Sequence, residues 1–153
     1  YGGSLVVRHW THTLFRALRR ALGVGFEIQV LVIAELIGTA YYRRLGARTG
    51  DAVLQQTCEI ILRDEAQHIA FHAERFATDH AAWLPVERAL WLAQFQSIFL
   101  GALEVAWVDH RPALRALGIE RPECRAEARH ECVQFLARFA TEGGSFRATS
   151  EVL

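Results

Sequence analysis

Two carboxylates stand where charge is hard to keep. Glu35 lies in VLVIAELIGTAYY, with no other charged residue between Glu27 and Arg43. Glu104 is the only charged residue from Ala89 to Val108, in ALWLAQFQSIFLGALEVAWV. Burying an ionised carboxylate alone costs on the order of several kcal/mol, so each acid needs a proton, a cation or a metal ion. Two further stretches offer the rest of a metal site. RDEAQH places Glu65 three residues before His68, and EARH places Glu127 three before His130, with Glu131 next. Residues three apart share a helix face, so each Glu and its His can aim at one point. Carboxylate oxygen with imidazole nitrogen suits iron, manganese or zinc.

Long helices are what must position these groups. Prolines are only three, Pro85, Pro112 and Pro122, and few breakers over this length favour long helices. An N-terminal helix is expected over 4–22, basic through Arg8, Arg16, Arg19 and Arg20. Gly23 and Gly25 then loosen the chain. A second helix, over 24–45, ends at Gly46, with Arg43 and Arg44 in its last turn, where cations suit the helix dipole. A third, over 51–80, starts from Asp51 as a cap. The fourth starts at Pro85 and runs to near Asp109, where Arg111-Pro112 is expected to break it before a short turn over 113–117. The fifth runs from about Pro122 to Gly143-Gly144. No strand alternation or repeat stands out.

Short loops between long helices imply antiparallel neighbours. The expected fold is therefore all-α: one domain over 4–142, with an antiparallel four-helix core (24–142), an accessory helix (4–22) that caps the bundle or binds a second copy, and a loosely held tail (143–153). In that register Glu35 and Glu65 lie at similar distances from the turn joining their helices. So do Glu104 and Glu127, and the four sites can share one layer.

Composition narrows the function classes. Hydrophobic residues make up 52% of the 153 and charged residues 22%; Lys+Arg and Asp+Glu both total 17, for a formal net charge of zero. That balance is globular, and without a basic stripe no nucleic-acid partner is expected. The three cysteines, Cys58, Cys124 and Cys132, are odd in number and form no CxxC, which reads as reduced thiols near a core in a cytoplasmic protein. Ala89 to Val108 is nearly long enough to span a bilayer, but Gln94, Gln96 and Glu104 argue against a membrane. There is no signal-peptide pattern and no methionine at all. Either the start is trimmed or the chain belongs to a longer one. In the latter case Glu35, Glu65 and His68 would combine with residues outside it, and the 127–130 motif would be coincidental.

One Glu on each of two helices, with ExxH on each of the other two, resembles the ferritin-like di-iron carboxylate superfamily. ELIGTAYYRRLG followed by LRDEAQHIAFHAERF is similar to bacterial ferritin-like domain proteins over Glu35 through Phe76, with a thirty-residue spacing from Glu35 to Glu65. From Glu104 to Glu127 the spacing is 23 residues, shorter than the superfamily's habit, and Glu131 is an alternative carboxylate there. The resemblance implies a ferritin-like bundle with an added N-terminal helix, holding two iron ions, or manganese. Glu65 would bridge the metals. His68 and His130 would each cap one, and Glu35 and Glu104 would be terminal or bridging. Asp64 would accept a hydrogen bond from a ligand histidine. His72, one turn beyond His68, would be an extra ligand, a supporting group or a satisfied core histidine. Tyr42 shares the Glu35 face and reads as core more than as redox-active.

The expected activity is that of an O2-dependent oxidase or oxygenase acting on a small apolar substrate, working as a homodimer. Leu31, Ile61, Leu100 and Trp107 would form an uncharged wall near the metals. The alternatives are a ferroxidase or iron-handling protein, and a non-catalytic helical interaction module with a degenerate metal site. Of the other histidines, His9, His12, His80 and His110 read as surface or interface residues. Phe71, Phe76, Trp91, Phe95, Phe99 and Trp107 read as packing.

Overall fold

A computed structural model describes residues 10–142, with side chains from 23 to 139. Residues 4–9 of the expected 4–22 helix and the tail over 143–153 lie outside the described residues, as do the side chains of His9 and His12. The described chain is all-α: α1 (Trp10–Arg48), α2 (Ala52–Asp79), α3 (Pro85–Ala116) and α4 (Arg121–Glu142), with no strand among the described residues. The expected first and second helices are one run, α1, interrupted at Gly23, where φ 79° and ψ 178° suit glycine alone. The chain divides into two compact units, 1–31 and 32–153. The first, in its described part, is helix broken at Gly23. The second holds the rest of α1, α2, α3 and α4.

Local signals account for the helix ends. Asp51 caps α2, its carboxylate accepting from the amides of Val53 at 2.8 Å and Leu54 at 3.2 Å. Pro85 opens α3, where the Glu87 carboxylate reaches back to the Leu84 amide at 2.7 Å. The expected break at Pro112 is a correction: α3 runs through it to Ala116. Pro112 deprives the Val108 carbonyl of its donor. Val108 is exposed, so water can replace it, and Trp107, Leu114 and Ile119 bury together on either side of the proline. The helix ends instead at Ala116, two residues before Gly118 with φ 67°; the Gly118 amide bonds to the Arg115 carbonyl and that of Ile119 to Leu114.

Within the second unit, side-chain pairs fix the directions. Arg48 meets Glu123 while Arg43 meets Glu127, so α1 and α4 are antiparallel. Phe95 stacks on Phe135 and Trp91 lies tilted against Phe139, so α3 and α4 are antiparallel too. Phe76 meets Phe135 and His80 meets Phe139, so α2 and α4 run parallel, and this pair packs extensively. Helix directions therefore alternate along the chain. The connection between α2 and α3 is only residues 80–84. Ferritin-like bundles carry one long crossover; none occurs among the described helices. Between α1 and α2 the backbones come close at Gly46, where an added Cβ would stand 3.1 Å from the Cβ of Cys58.

The core is Ile33, Leu36, Phe95, Phe99, Phe135 and their neighbours, each such side chain contributing about 1.5–3 kcal/mol on full burial. Cys58 and Cys132 are buried, Cys124 is partly so, and none is in a disulfide. His80 is a correction: it is buried, caged by Phe76, Trp83, Trp91 and Phe139. Phe71, expected in the core, is exposed. Two helical stretches, Gly23–Arg48 and Pro85–Ala116, are long and apolar enough to cross a membrane by length and composition.

Candidate metal centre

Glu35 projects from the apolar part of α1, and Glu65 and His68 from one face of α2. Each offers a donor atom, and the three donors lie within 4.8 Å of one another. His68 Nδ1 stands 3.4 Å from Glu65 Oε2 and 3.8 Å from Glu35 Oε1. His72, one turn on, places Nε2 3.6 Å from Glu35 Oε2. These distances exceed a hydrogen bond, and they match the spacing of donors that share an ion at about 2.1 Å each. Among the described residues, Oε2 of Glu35, Oε2 of Glu65 and Nδ1 of His72 are buried with no hydrogen-bond partner. The side chains of Glu35 and His72 are 10% and 12% exposed, that of His68 60%. The group is thus rooted in the helix pair and opens to solvent at His68.

Burial pushes the Glu35 carboxyl up to about 7; the neighbouring Glu65 adds to this and His68 opposes it. The His72 imidazole is held below its ordinary value by burial and by His68. A neutral imidazole beside a carboxyl that sheds its proton near neutrality is a donor set ready for a cation.

The other expected ligands sit elsewhere. Glu104 on α3 is held by Arg121 and by Arg125, the latter at 2.5 Å. Burial raises its pKa, but the hydrogen bonds from the two guanidiniums prevail and hold it below the usual carboxylate range. Glu127 accepts from Arg43 and Arg44, each at 2.6 Å, and Arg43 also holds Glu131. Glu127 is likewise kept low by these arginines against the effect of burial. His130 and Asp64 are exposed. The structure therefore gathers Glu35, Glu65 and His68, sets His72 beside them, and pairs Glu104, Glu127 and Glu131 with arginine. The physical reason is charge: a carboxylate already bridging guanidiniums has its counter-ions.

Of the residues expected to form an apolar wall, none is buried except Trp107. Leu31 and Leu100 are exposed, and Trp107 packs with Leu114, Ile119 and Tyr41. Tyr42 lies edge-on to Tyr41 and lines a cavity of about 350 Å³ with Gly46, Gln55, Cys58, Glu59 and Leu62. Sequence reasoning missed Arg121 and Arg125 as partners, and read Arg43 and Arg44 only as helix-end charges. The available signal was spacing: Arg43, Arg44 and Arg48 on one helix, and Glu123, Glu127 and Glu131 on another, recur at helical intervals that allow a ladder. Compared with protein-family models, curated proteins and solved structures, the chain finds no match in any of the three.

Proposed function

We propose that this chain is a metal-binding helical bundle whose centre, on Glu35, Glu65 and His68, takes iron, or manganese, for O2-dependent oxidation. The carrying observation is the Glu35 carboxylate, nine-tenths buried and without a guanidinium among its described ion pairs, converging with Glu65 and His68. Mixed oxygen and nitrogen donors favour such a transition ion over calcium or magnesium. Bound there, ferrous iron would supply electrons to O2, the chemistry behind both organic oxidation and iron oxidation.

The chain's own residues prepare that role. Glu35 gives up its proton to a cation near neutral pH. Glu65 and His68, three apart on α2, hold their donors in one orientation. The exposed edge of His68 leaves a path for O2 and for the ion. The six-ligand ferritin-like centre would require Glu104 and Glu127 to leave their arginines, so the resemblance now rests on the stretch from Glu35 to Phe76. With this reading go a cytoplasmic homodimer and a small apolar substrate. A second reading, oxidation of aqueous Fe(II) itself, is favoured by the opening at His68 and by the exposure of Leu31 and Leu100.

Anaerobic loading with Fe(II), desalting and elemental analysis test the metal. Wild type should retain iron and Glu65→Ala should lose it. A folded wild type that takes up no iron ends the reading. O2 consumption that tracks added Fe(II), with no organic substrate, selects iron oxidation.

A further inference from the structure

We infer that the outward face of α3 pairs with the same face of a second copy of this chain, antiparallel, with Gly101 at the crossing point. Such pairing needs no metal. It also uses a different surface from the N-terminal helix that sequence reasoning offers a second copy.

The inward face of α3 carries Phe95, Phe99, Leu103 and Trp107, all buried. The opposite face is also apolar. Leu90 is 67% exposed and Val108 62%, and Ala93, Ser97, Gly101 and Val105 between them are exposed too. Apart from Glu104, residues 89–108 carry no charge. From Glu87 to Arg115 this face is about 42 Å long and about 10 Å wide, on the order of 400 Å² in one patch, a size that on a monomer often marks a contact site. Gly101 lies at its midpoint. Glycine inside an exposed helix is less favourable than alanine, and an added Cβ there would meet nothing within 4 Å among the described residues. Packing within the described chain does not require this glycine; the close approach of another backbone does.

Charge sets the direction. Glu87 stands 14 residues before Gly101 and Arg115 14 after it, and both are exposed. Antiparallel pairing about Gly101 sets each Glu87 against Arg115 of the second copy. Parallel pairing would set like charge against like at both ends. The antiparallel register also brings the Gln94 carboxamide, with its two N–H donors, opposite Val108 of the second copy, whose carbonyl Pro112 deprives of its helix donor. A bilayer is the other occupant that an apolar helix this long suits. It would strand in hydrocarbon the Glu104 carboxylate and the arginines that hold it, Arg121 and Arg125, one turn from Gly101. A second copy leaves that group in water at the rim. Two such patches together bury on the order of 1,000 Å², the lower end for a specific interface, so the pair is weak and reversible.

Sedimentation equilibrium of the full chain over a range of concentrations is the test. Wild type should dimerise reversibly with a Kd on the order of 10 µM. Gly101→Leu should weaken dimerisation by about 100-fold or more, since a side chain at the crossing point holds the two backbones apart. The same variant should raise the thermal unfolding midpoint of the dilute monomer, because leucine favours helix and meets no neighbour there. Arg115→Glu should weaken pairing by about tenfold, a loss that shrinks with added salt; a parallel pair would not be weakened by it. Wild type that stays monomeric at about 1 mM, or a dimer that Gly101→Leu leaves intact, overturns the α3 interface. A dimer indifferent to Arg115→Glu overturns its antiparallel register. Monomeric wild type that floats with phosphatidylcholine vesicles overturns it in favour of a bilayer. Glu65→Ala should dimerise as wild type does, so failure of the metal centre and failure of this interface are read separately.

Discussion

Glu35 and Glu104 are each the lone charge of a long apolar stretch, yet the molecule neutralises them differently. Glu104 stands partly exposed on α3, between Arg121 and Arg125 from the start of α4. Glu35 is buried on α1 and faces only imidazoles among its described ion pairs, with its carboxyl raised to about 7. The first arrangement is complete without any ligand. The second holds a costly acid for which a cation would be the missing partner. A lone acid in an apolar helix therefore signals a need for positive charge and leaves its source open; the neighbouring helix brings arginine to Glu104 and imidazole to Glu35.

The sharpest way to break this contrast is metal affinity. Glu35→Ala and Glu65→Ala should weaken Fe(II) or Co(II) binding by about 100-fold or more, while Glu104→Ala, Glu127→Ala and His130→Ala should change it by less than about threefold. Equal losses in both sets would return the six-residue site. Next in size is the pH dependence of the metal-free protein. A carboxyl raised to about 7 keeps its proton in the folded state, whereas the unfolded chain releases it at the ordinary carboxylate value. Its contribution to stability is full at acid pH and is lost as the pH rises through about 7. Urea unfolding should show wild type losing on the order of 2 kcal/mol relative to Glu35→Gln between acid and mildly alkaline pH, and saturating metal should abolish the difference.

Arg43→Ala should cost about 1 kcal/mol, because Glu127 and Glu131 lose a shared guanidinium. Adding Glu131→Gln should recover part of it in thermal unfolding. Smallest is Glu104→Gln, worth less than about 1 kcal/mol and shrinking with added salt, as a part-exposed pair should. A larger, salt-insensitive loss would show Glu104 to be as dependent on its site as Glu35.

Much of the helical plan was legible because its signals are local. Asp51 and Pro85 mark helix starts through their own side-chain chemistry, and Gly46 lies only two residues before the end of α1. Pro112 misled because a proline's cost depends on whether water and neighbouring packing compensate it, and the burial of Trp107, Leu114 and Ile119 together, all close to it in sequence, is set by the tertiary fold and not by their spacing. The convergence of Glu35, Glu65 and His68 was legible from the apolar setting of Glu35 and from helix phase. The guanidinium partners of Glu104 and Glu127 were not, since equal height in a register says nothing of which helix faces bring Arg121, Arg125, Arg43 and Arg44 alongside. His80 was misplaced for a similar reason: its aromatic cage draws on α2, α3, α4 and the loop at Trp83.

The close passage of α1 over α2 at Gly46 bears on the spacing between Glu35 and His68. A methyl group there would press on Cys58, and close-packed interiors compress little and transmit such strain. The displacement would be carried along the pair to where Glu35 looks across at His68, widening the aperture between donors. In the metal-binding reading proposed above, the fit between donors and ion would then depend in part on a glycine that is not itself a ligand.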